Sequence, residues 1–322
     1  MRRINPRNIK RQAVLALADH PSDYRKLVIR HALVTSVVTL MVSLLGLLLN
    51  GSIADSQGLD GIGRASFLKT VYSVFMLAAN LLLPFWEMGI SYTSMRVARR
   101  QNTDFSMLTQ GLRRFAPLAG YHAMLALILF GFAFACLNVV IMPFMCLPMP
   151  EEVQTAALAL DFSDMAQIEA FYGEYADQMM KYSMPFWIVY MIAYGIIAVV
   201  LNYRFRMCGY LLLEDERAGV MASFGISSRM TKGERKNLFM LDLSFWWYHA
   251  LTVLTALVVY VPDFLRAAGV DLPVKYETAS FVSFLIYLVL YLLLVGLAGA
   301  YYQTSMACAY ETLRMPAEEE II

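Results

Sequence analysis

The stretch FVSFLIYLVLYLLLVGLAGAY, Phe281–Tyr301, runs for 21 residues without a charge. About 20 apolar residues at 1.5 Å rise each cross a hydrocarbon core of roughly 30 Å, so the run predicts a transmembrane helix. Five more apolar runs stand at Leu33–Asn50, Phe67–Trp86, Leu118–Phe144, Met184–Leu201 and Leu238–Val261, with Lys69 and Asp242 as their only charges. The chain is 59% hydrophobic and 16% charged, whereas average soluble domains carry roughly 25% charged residues. A single soluble core does not absorb that much apolar surface, so the expected fold is all-α: a polytopic membrane bundle of six transmembrane helices.

Net charge is only +1, but the charges are segregated. Residues 1–31 hold Arg2, Arg3, Arg7, Lys10, Arg11, Arg25, Lys26 and Arg30. Further basic residues follow the second run (Arg96, Arg99, Arg100, Arg113, Arg114) and the fourth (Arg204, Arg206, Arg217, Arg229, Lys232, Arg235, Lys236). The alternate connections hold only Arg64 and Lys69, then Lys181, then Arg266 and Lys275. Lysine and arginine mark cytoplasmic loops, which predicts both termini inside, in a bacterial cytoplasmic membrane. The domains expected are a basic cytoplasmic segment (1–31), the six-helix domain (32–315) and an acidic cytoplasmic tail (316–322).

Between the runs, Asn5-Pro6 followed by Ile9, Ala13, Ala16 and Leu17 predicts a short amphipathic helix on the cytoplasmic membrane surface. No early apolar segment with a small-residue cleavage site precedes it, which argues against a secretory signal. The second run continues at helical spacing through Tyr92, Arg96 and Arg99, and Phe105, Leu108, Leu112 and Phe115 form another amphipathic stretch. Cys146–Tyr182 reads as an acidic outer loop. Within it Asp164 with Gln167 starts one separate amphipathic helix along Met165, Ile168, Tyr172, Tyr175 and Met179. Each even-numbered run ends in an aromatic extension (Phe85–Met95, Tyr203–Tyr210, Tyr301–Tyr310), which suggests a weak internal period of three hairpins.

The most distinctive stretch is Ser227–Tyr248, SSRMTKGERKNLFMLDLSFWWY, a basic turn running into an apolar helix with one acid, Asp242. Ser228-Arg229, Met230, Gly233, Leu238-Phe239, Leu241, Leu243-Ser244-Phe245 and Trp247 resemble the signature of a bacterial integral-membrane family catalogued as domain of unknown function nine-seven-five. The spacing before Gly233 is shorter than in that signature, and Trp247 sits one place early. Gly89–Tyr92, Arg96–Arg99 and Phe105, Leu108, Gly111 are similar to its upstream stretch. The resemblance spans roughly residues 87–315 and implies a polytopic membrane protein of unknown biochemistry.

No H-E-x-x-H, G-x-S-x-G, phosphate-cradling loop or paired C-x-x-C occurs, so the expectation is a protein that is not an enzyme and carries no cofactor. Cys136, Cys146, Cys208 and Cys308 read as packing residues. His122 and His249 fall in spans without a second ligand at helical spacing, which favours hydrogen-bonded bundle histidines over a metal pair. Glu87 stands about 13 Å of helix inside Arg96, and Asp242 about 9 Å inside Lys236. Intramembrane acids face a bundle interior with a partner, and Arg204, Arg206 and Arg30 have the right sign. The candidate site is a cytoplasm-facing polar cavity lined by Glu87, Asp242, Arg204 and Arg206, with Asn80, Asn202 and His249 deeper in. The alternative places Asp242 structurally, in the first turn of helix five and tied to a neighbouring arginine.

Three function classes follow: handling or sensing a small molecule, lipid or peptide at that cavity; a structural or accessory subunit; and, least favoured, a membrane-embedded enzyme. Expected partners are the bilayer, with anionic lipid at Arg229, Lys232, Arg235 and Lys236, and a membrane protein partner. Nucleic acid is not expected, since orientation already accounts for the basic runs.

Overall fold

A computed structural model describes residues 4–19, 23–54, 59–145, 150–160, 164–270 and 276–319. The described chain is helical: α1 (Pro6–Asp19), α2 (Asp23–Ala54), α3 (Leu59–Ala98), a 3-10 turn (Phe105–Thr109), α4 (Gln110–Arg113), α5 (Phe115–Met145), α6 (Glu151–Leu158) and α7 (Met165–Phe205) make the first part. Then come α8 (Cys208–Glu214), α9 (Val220–Met230), α10 (Arg235–Leu243), α11 (Trp246–Leu257), a 3-10 turn (Val258–Tyr260), α12 (Val261–Ala267), α13 (Tyr276–Leu294), a π-helical turn (Val295–Gly299) and α14 (Ala300–Glu319). Five stretches are long and apolar enough to cross a membrane: Ser66–Ala98, Phe115–Val140, Met165–Glu214, Trp246–Ala267 and Thr278–Arg314. The sixth expected run, Leu33–Asn50, lies within α2, and its side chains from residue 43 onward are outside the described ones. Large apolar side chains such as Leu77, Phe130, Ile192, Val253 and Leu293 stand exposed along these stretches. That is the inverse of a soluble fold and the surface lipid requires. The chain is an integral membrane protein.

The chain divides into two compact units, residues 1–119 with 205–322, and residues 120–204. In the larger unit, Ala16, Tyr24, Leu27, Val28, Ala32, Ile90, Val97, Leu108, Val295 and Ala300 form the core where α1, α2, α3 and the start of α14 meet. The N-terminal helix buries Ile9, Ala13 and Ala16 as its spacing predicts, but packs them on the protein, against α14, α3 and α10, and not on the membrane surface. Its fastening is polar as well as apolar. The Ile4 amide donates to Glu234 (2.9 Å), and Lys10 Nζ donates to the Ser244 carbonyl (3.0 Å) while sitting 4.2 Å from the Phe245 ring centroid. Burial holds the Lys10 ammonium below its usual range.

The segment after α3 turns back on it. Arg100, at φ 55°, ends the helix, and Asp104 caps the 3-10 turn by accepting from the Ser106 and Met107 amides. The return is so close that a Cβ on Gly89 would stand 1.9 Å from the Leu108 carbonyl oxygen, and one on Gly111 1.9 Å from that of Phe85. Two glycines therefore let backbone pack on backbone. The amphipathic stretch expected here is this 3-10 turn followed by the one-turn α4.

The predicted helix five is broken. The apolar run divides into α10 and α11 at Ser244–Phe245, because Ser244 Oγ caps the Leu241 carbonyl (2.5 Å) and the buried Phe245 turns into the Tyr301 and Tyr302 rings. Asp242 thus lies in the last turn of α10 and does not start a span, and past the expected end of the run at Val261 the chain continues as α12, with Pro262 in its first turn.

In the smaller unit, α7 is one helix of 41 residues. The expected outer helix and fourth span are therefore continuous, and the Cys146–Tyr182 segment is mostly helical, with Cys146 itself outside the described residues. Asp164 caps the start of α7, accepting from Ala166 N (3.0 Å) and Gln167 N (3.4 Å). Phe171 is buried, with Ile168, Tyr175 and Met179 half-buried on the same stripe, while Met165 and Tyr172 stay exposed.

Candidate functional site

Asp242 sits at the centre of a polar network in the larger unit. Arg206, in the turn after α7, donates from Nη1 to Asp242 Oδ2 (2.7 Å) and from Nη2 to Oδ1 (3.4 Å). Tyr302, in the first turn of α14, donates its hydroxyl to Asp242 Oδ1 (2.8 Å) and accepts from Arg206 Nη2 (2.7 Å). His249 Nε2 lies 3.6 Å from the same carboxylate. Arg206 and Asp242 are 17% and 18% exposed, and the Phe245, Tyr248 and His249 rings crowd Tyr302. A bidentate arginine–carboxylate pair with a third hydrogen-bonded arm fixes direction as well as charge, so this network fastens α10, α14 and the turn at Arg206 to one another.

Tyr248 is also a wall of a separate, partly open cavity of about 290 Å³. Its floor is core: Val28, Ala32, Ile90 and Val295. Its polar groups come from five helices, with His31 on α2, Glu87 and Ser91 on α3, Tyr248 on α11, Tyr291 on α13 and Gln303 on α14. His31 is buried, stacks on Trp86 (centroids 5.3 Å, planes 4° apart) and has Nε2 3.2 Å from the Trp86 carbonyl. A carbonyl only accepts, so Nε2 carries the proton and Nδ1 is the acceptor. Burial pushes the His31 imidazolium down to about 4, with the Trp86 carbonyl opposing in part, so the ring is neutral at pH 7. Among the described residues Glu87 has neither hydrogen-bond nor ion-pair partner.

A second ionic cluster ties the three aromatic extensions together. Glu214 at the end of α8 accepts from Arg99 Nη2 (2.6 Å), from the Tyr310 hydroxyl (2.5 Å) and from Arg314, and Arg99 Nε reaches Glu311 (2.8 Å). The Tyr210 and Tyr310 rings stack at 5.1 Å. The ends of α3, α8 and α14 therefore converge on one carboxylate hub.

The expected site residues thus fall into groups. Asp242, Arg206 and His249 come together, and Glu87 lines the neighbouring cavity behind Tyr248. Arg204 and Asn202 are exposed near the end of α7, and Asn80 is exposed with its amide donating to the Met76 carbonyl (2.8 Å). Arg229, Lys232 and Lys236 are exposed and Arg235 half-buried around Gly233, whose φ of 86° makes the turn. Sequence reading missed Tyr302, Tyr291, Tyr248, Gln303 and His31 as site residues. The available signal was the i, i+4 pair Tyr287–Tyr291, stacked at 5.6 Å, inside an otherwise aliphatic run.

Comparison with curated proteins and with solved structures gave no match in either set. A family match does cover residues 8–317, nearly the whole chain, including the basic turn, both close-approach glycines and the Arg206–Asp242 pair. The protein therefore belongs to the family described as protein of unknown function (DUF975).

Proposed function

We propose that this multi-pass membrane protein is not an enzyme and holds a small molecule in the cavity between α2, α3, α11, α13 and α14. The observation that carries the reading is a preformed cavity of about 290 Å³ with an apolar floor and a few convergent polar groups, Glu87 among them, the usual construction of a small-molecule site. The excess of lysine and arginine at 1–31, 96–114 and 204–236 supports placing this end of the helices, and both termini, in the cytoplasm of a bacterial cell. Native mass spectrometry of protein released gently from membranes tests the reading. A small-molecule adduct is expected on the wild type and lost in Val295→Phe, which fills the floor, but kept in Met221→Phe, at an exposed position on α9. Equal adducts in all three proteins, or none in the wild type, would overturn it.

The exposed basic turn supports a second, compatible role in binding anionic lipid. Arg229, Lys232 and Lys236 have no ion-pair partner among the described residues, and such side chains near a bilayer attract anionic lipid at roughly 1 kcal/mol each. Replacing all three by glutamine should deplete phosphatidylglycerol adducts in the same spectra; unchanged lipid occupancy would count against the role.

A further inference from the structure

The cavity wall carries one formal charge. Among the described residues Glu87 is its only acid, neither lysine nor arginine lines it, and His31 is neutral with its proton committed to the Trp86 carbonyl. The buried and half-buried acids described in the larger unit are satisfied: Asp242 by Arg206 and Tyr302, Glu214 by Arg99, Arg314 and Tyr310, Glu311 by Arg99, and Glu234 by the Ile4 amide and Asn237. Glu87 alone faces the cavity with no partner among the described residues. Glu87 is an exposed residue of this partly open cavity, and carboxylates within membrane spans are retained with a partner or at a functional position, so the cavity is open to a cation that the protein does not itself supply.

The remaining wall says what kind of cation. Two tyrosine rings, Tyr248 and Tyr291, come from different helices, and ring faces attract a cation within about 6 Å. The floor is aliphatic. A hard metal ion seeks six or more oxygen ligands, more than this wall offers, and a primary ammonium would find acceptors in Ser91, Gln303 and the tyrosine hydroxyls but none on the aliphatic floor. A substituted ammonium spreads its charge over methyl groups that suit both rings and floor. We propose that the cavity binds a small organic cation of the quaternary or tertiary ammonium class, with Glu87 as counter-ion and Tyr248 and Tyr291 as the aromatic walls. This rests on the cavity being the binding site.

The test compares choline with its neutral isostere 3,3-dimethylbutan-1-ol on the purified full-length protein, by equilibrium dialysis at pH 7. Wild type should bind choline roughly tenfold or more tightly than the isostere. Glu87→Gln should weaken choline by at least tenfold and leave the isostere unchanged, and Tyr291→Leu should weaken choline several-fold. Because the comparison of the two probes on wild type needs no variant, a misfolded Glu87→Gln protein does not blunt it. Equal binding of both probes, displaced by Val295→Phe, would overturn the cation class and leave the cavity reading standing. No binding of either probe, together with no adduct in native mass spectrometry, would overturn both.

Discussion

Removing either partner of the Arg206–Asp242 pair strands the other in a poorly solvated place. Asp242→Ala removes the guanidinium's carboxylate partner, keeps its 2.7 Å bond to the Tyr302 hydroxyl, and deletes contacts at 2.7, 2.8 and 3.4 Å. Breaking a fully buried ion pair costs about 3–5 kcal/mol. With the two side chains 17% and 18% exposed, some water still reaches the survivor, so about 2–3 kcal/mol is expected for Asp242→Ala and for Arg206→Leu alike. The double variant buries no lone charge and should cost less than the sum by about 2 kcal/mol. Asp242→Asn keeps an acceptor for both Arg206 and Tyr302 and should cost about 1–2 kcal/mol. Reversible unfolding in mixed detergent micelles, followed by circular dichroism, reads all four values. If the two single costs simply add in the double variant, the pair is uncoupled, and the claim that it fastens α10 to α14 fails.

Three further expectations concern other joints. Gly89→Ala or Gly111→Ala places a Cβ 1.9 Å from a backbone oxygen, so each should abolish the monodisperse peak on size-exclusion chromatography; a well-behaved Gly89→Ala protein would show that the 105–113 segment can lift away. Glu214→Gln removes the charge facing Arg99 and Arg314 at an 18% exposed position and should cost about 2–3 kcal/mol in the same unfolding assay, whereas Glu216→Gln, paired to Arg114 from an 82% exposed position, should be near neutral. His31 binds its proton more weakly folded (about 4) than unfolded (6.5), so the unfolded chain takes up more protons between these values. Stability should be full above pH 6.5 and fall by up to about 3 kcal/mol as pH drops towards 4; a His31→Asn protein with the same acid profile would contradict this.

Apolar spans and the N-terminal amphipathic helix were legible because apolar run length and helical spacing are local properties. The run Phe281–Tyr301 and the stripe Ile9, Ala13, Ala16 read the same in sequence and structure. Breaks inside apolar runs were not legible. Nothing in LDLSFWWY marks Ser244–Phe245 as a hinge, because the cause is Phe245 turning into Tyr301 and Tyr302, some 55 positions away. Conversely, the separate outer helix expected along Met165–Met179 and the span expected from Met184 are one continuous helix, α7. For Asp242 the right kind of partner was readable but Arg206 could not be told from Arg204, since two positions differ by about 200° around a helix and only the assembled structure says which way α7 ends. The hub at Glu214 was invisible for the same reason: its partners stand 115 and 96 positions away.

The π-helical turn at Val295–Gly299 acts as a phase shifter between two halves of one rod. The Ala300 amide reaches back five residues to the Val295 carbonyl, so the turn accommodates one residue more than an α-helix would over the same bond. Upstream, α13 presents exposed Val289, Leu290 and Leu293 outward and Tyr291 to the cavity. Downstream, α14 must aim Tyr302 at Asp242 and Tyr310, Glu311 and Arg314 at the hub. Deleting Leu297 would close the turn into plain α-helix and rotate everything beyond it by about 100°. Both ionic joints would then point the wrong way while the apolar run kept its ability to insert. The extra residue is therefore what allows the lipid-facing half and the ion-pairing half of the last helix each to keep its own angular setting.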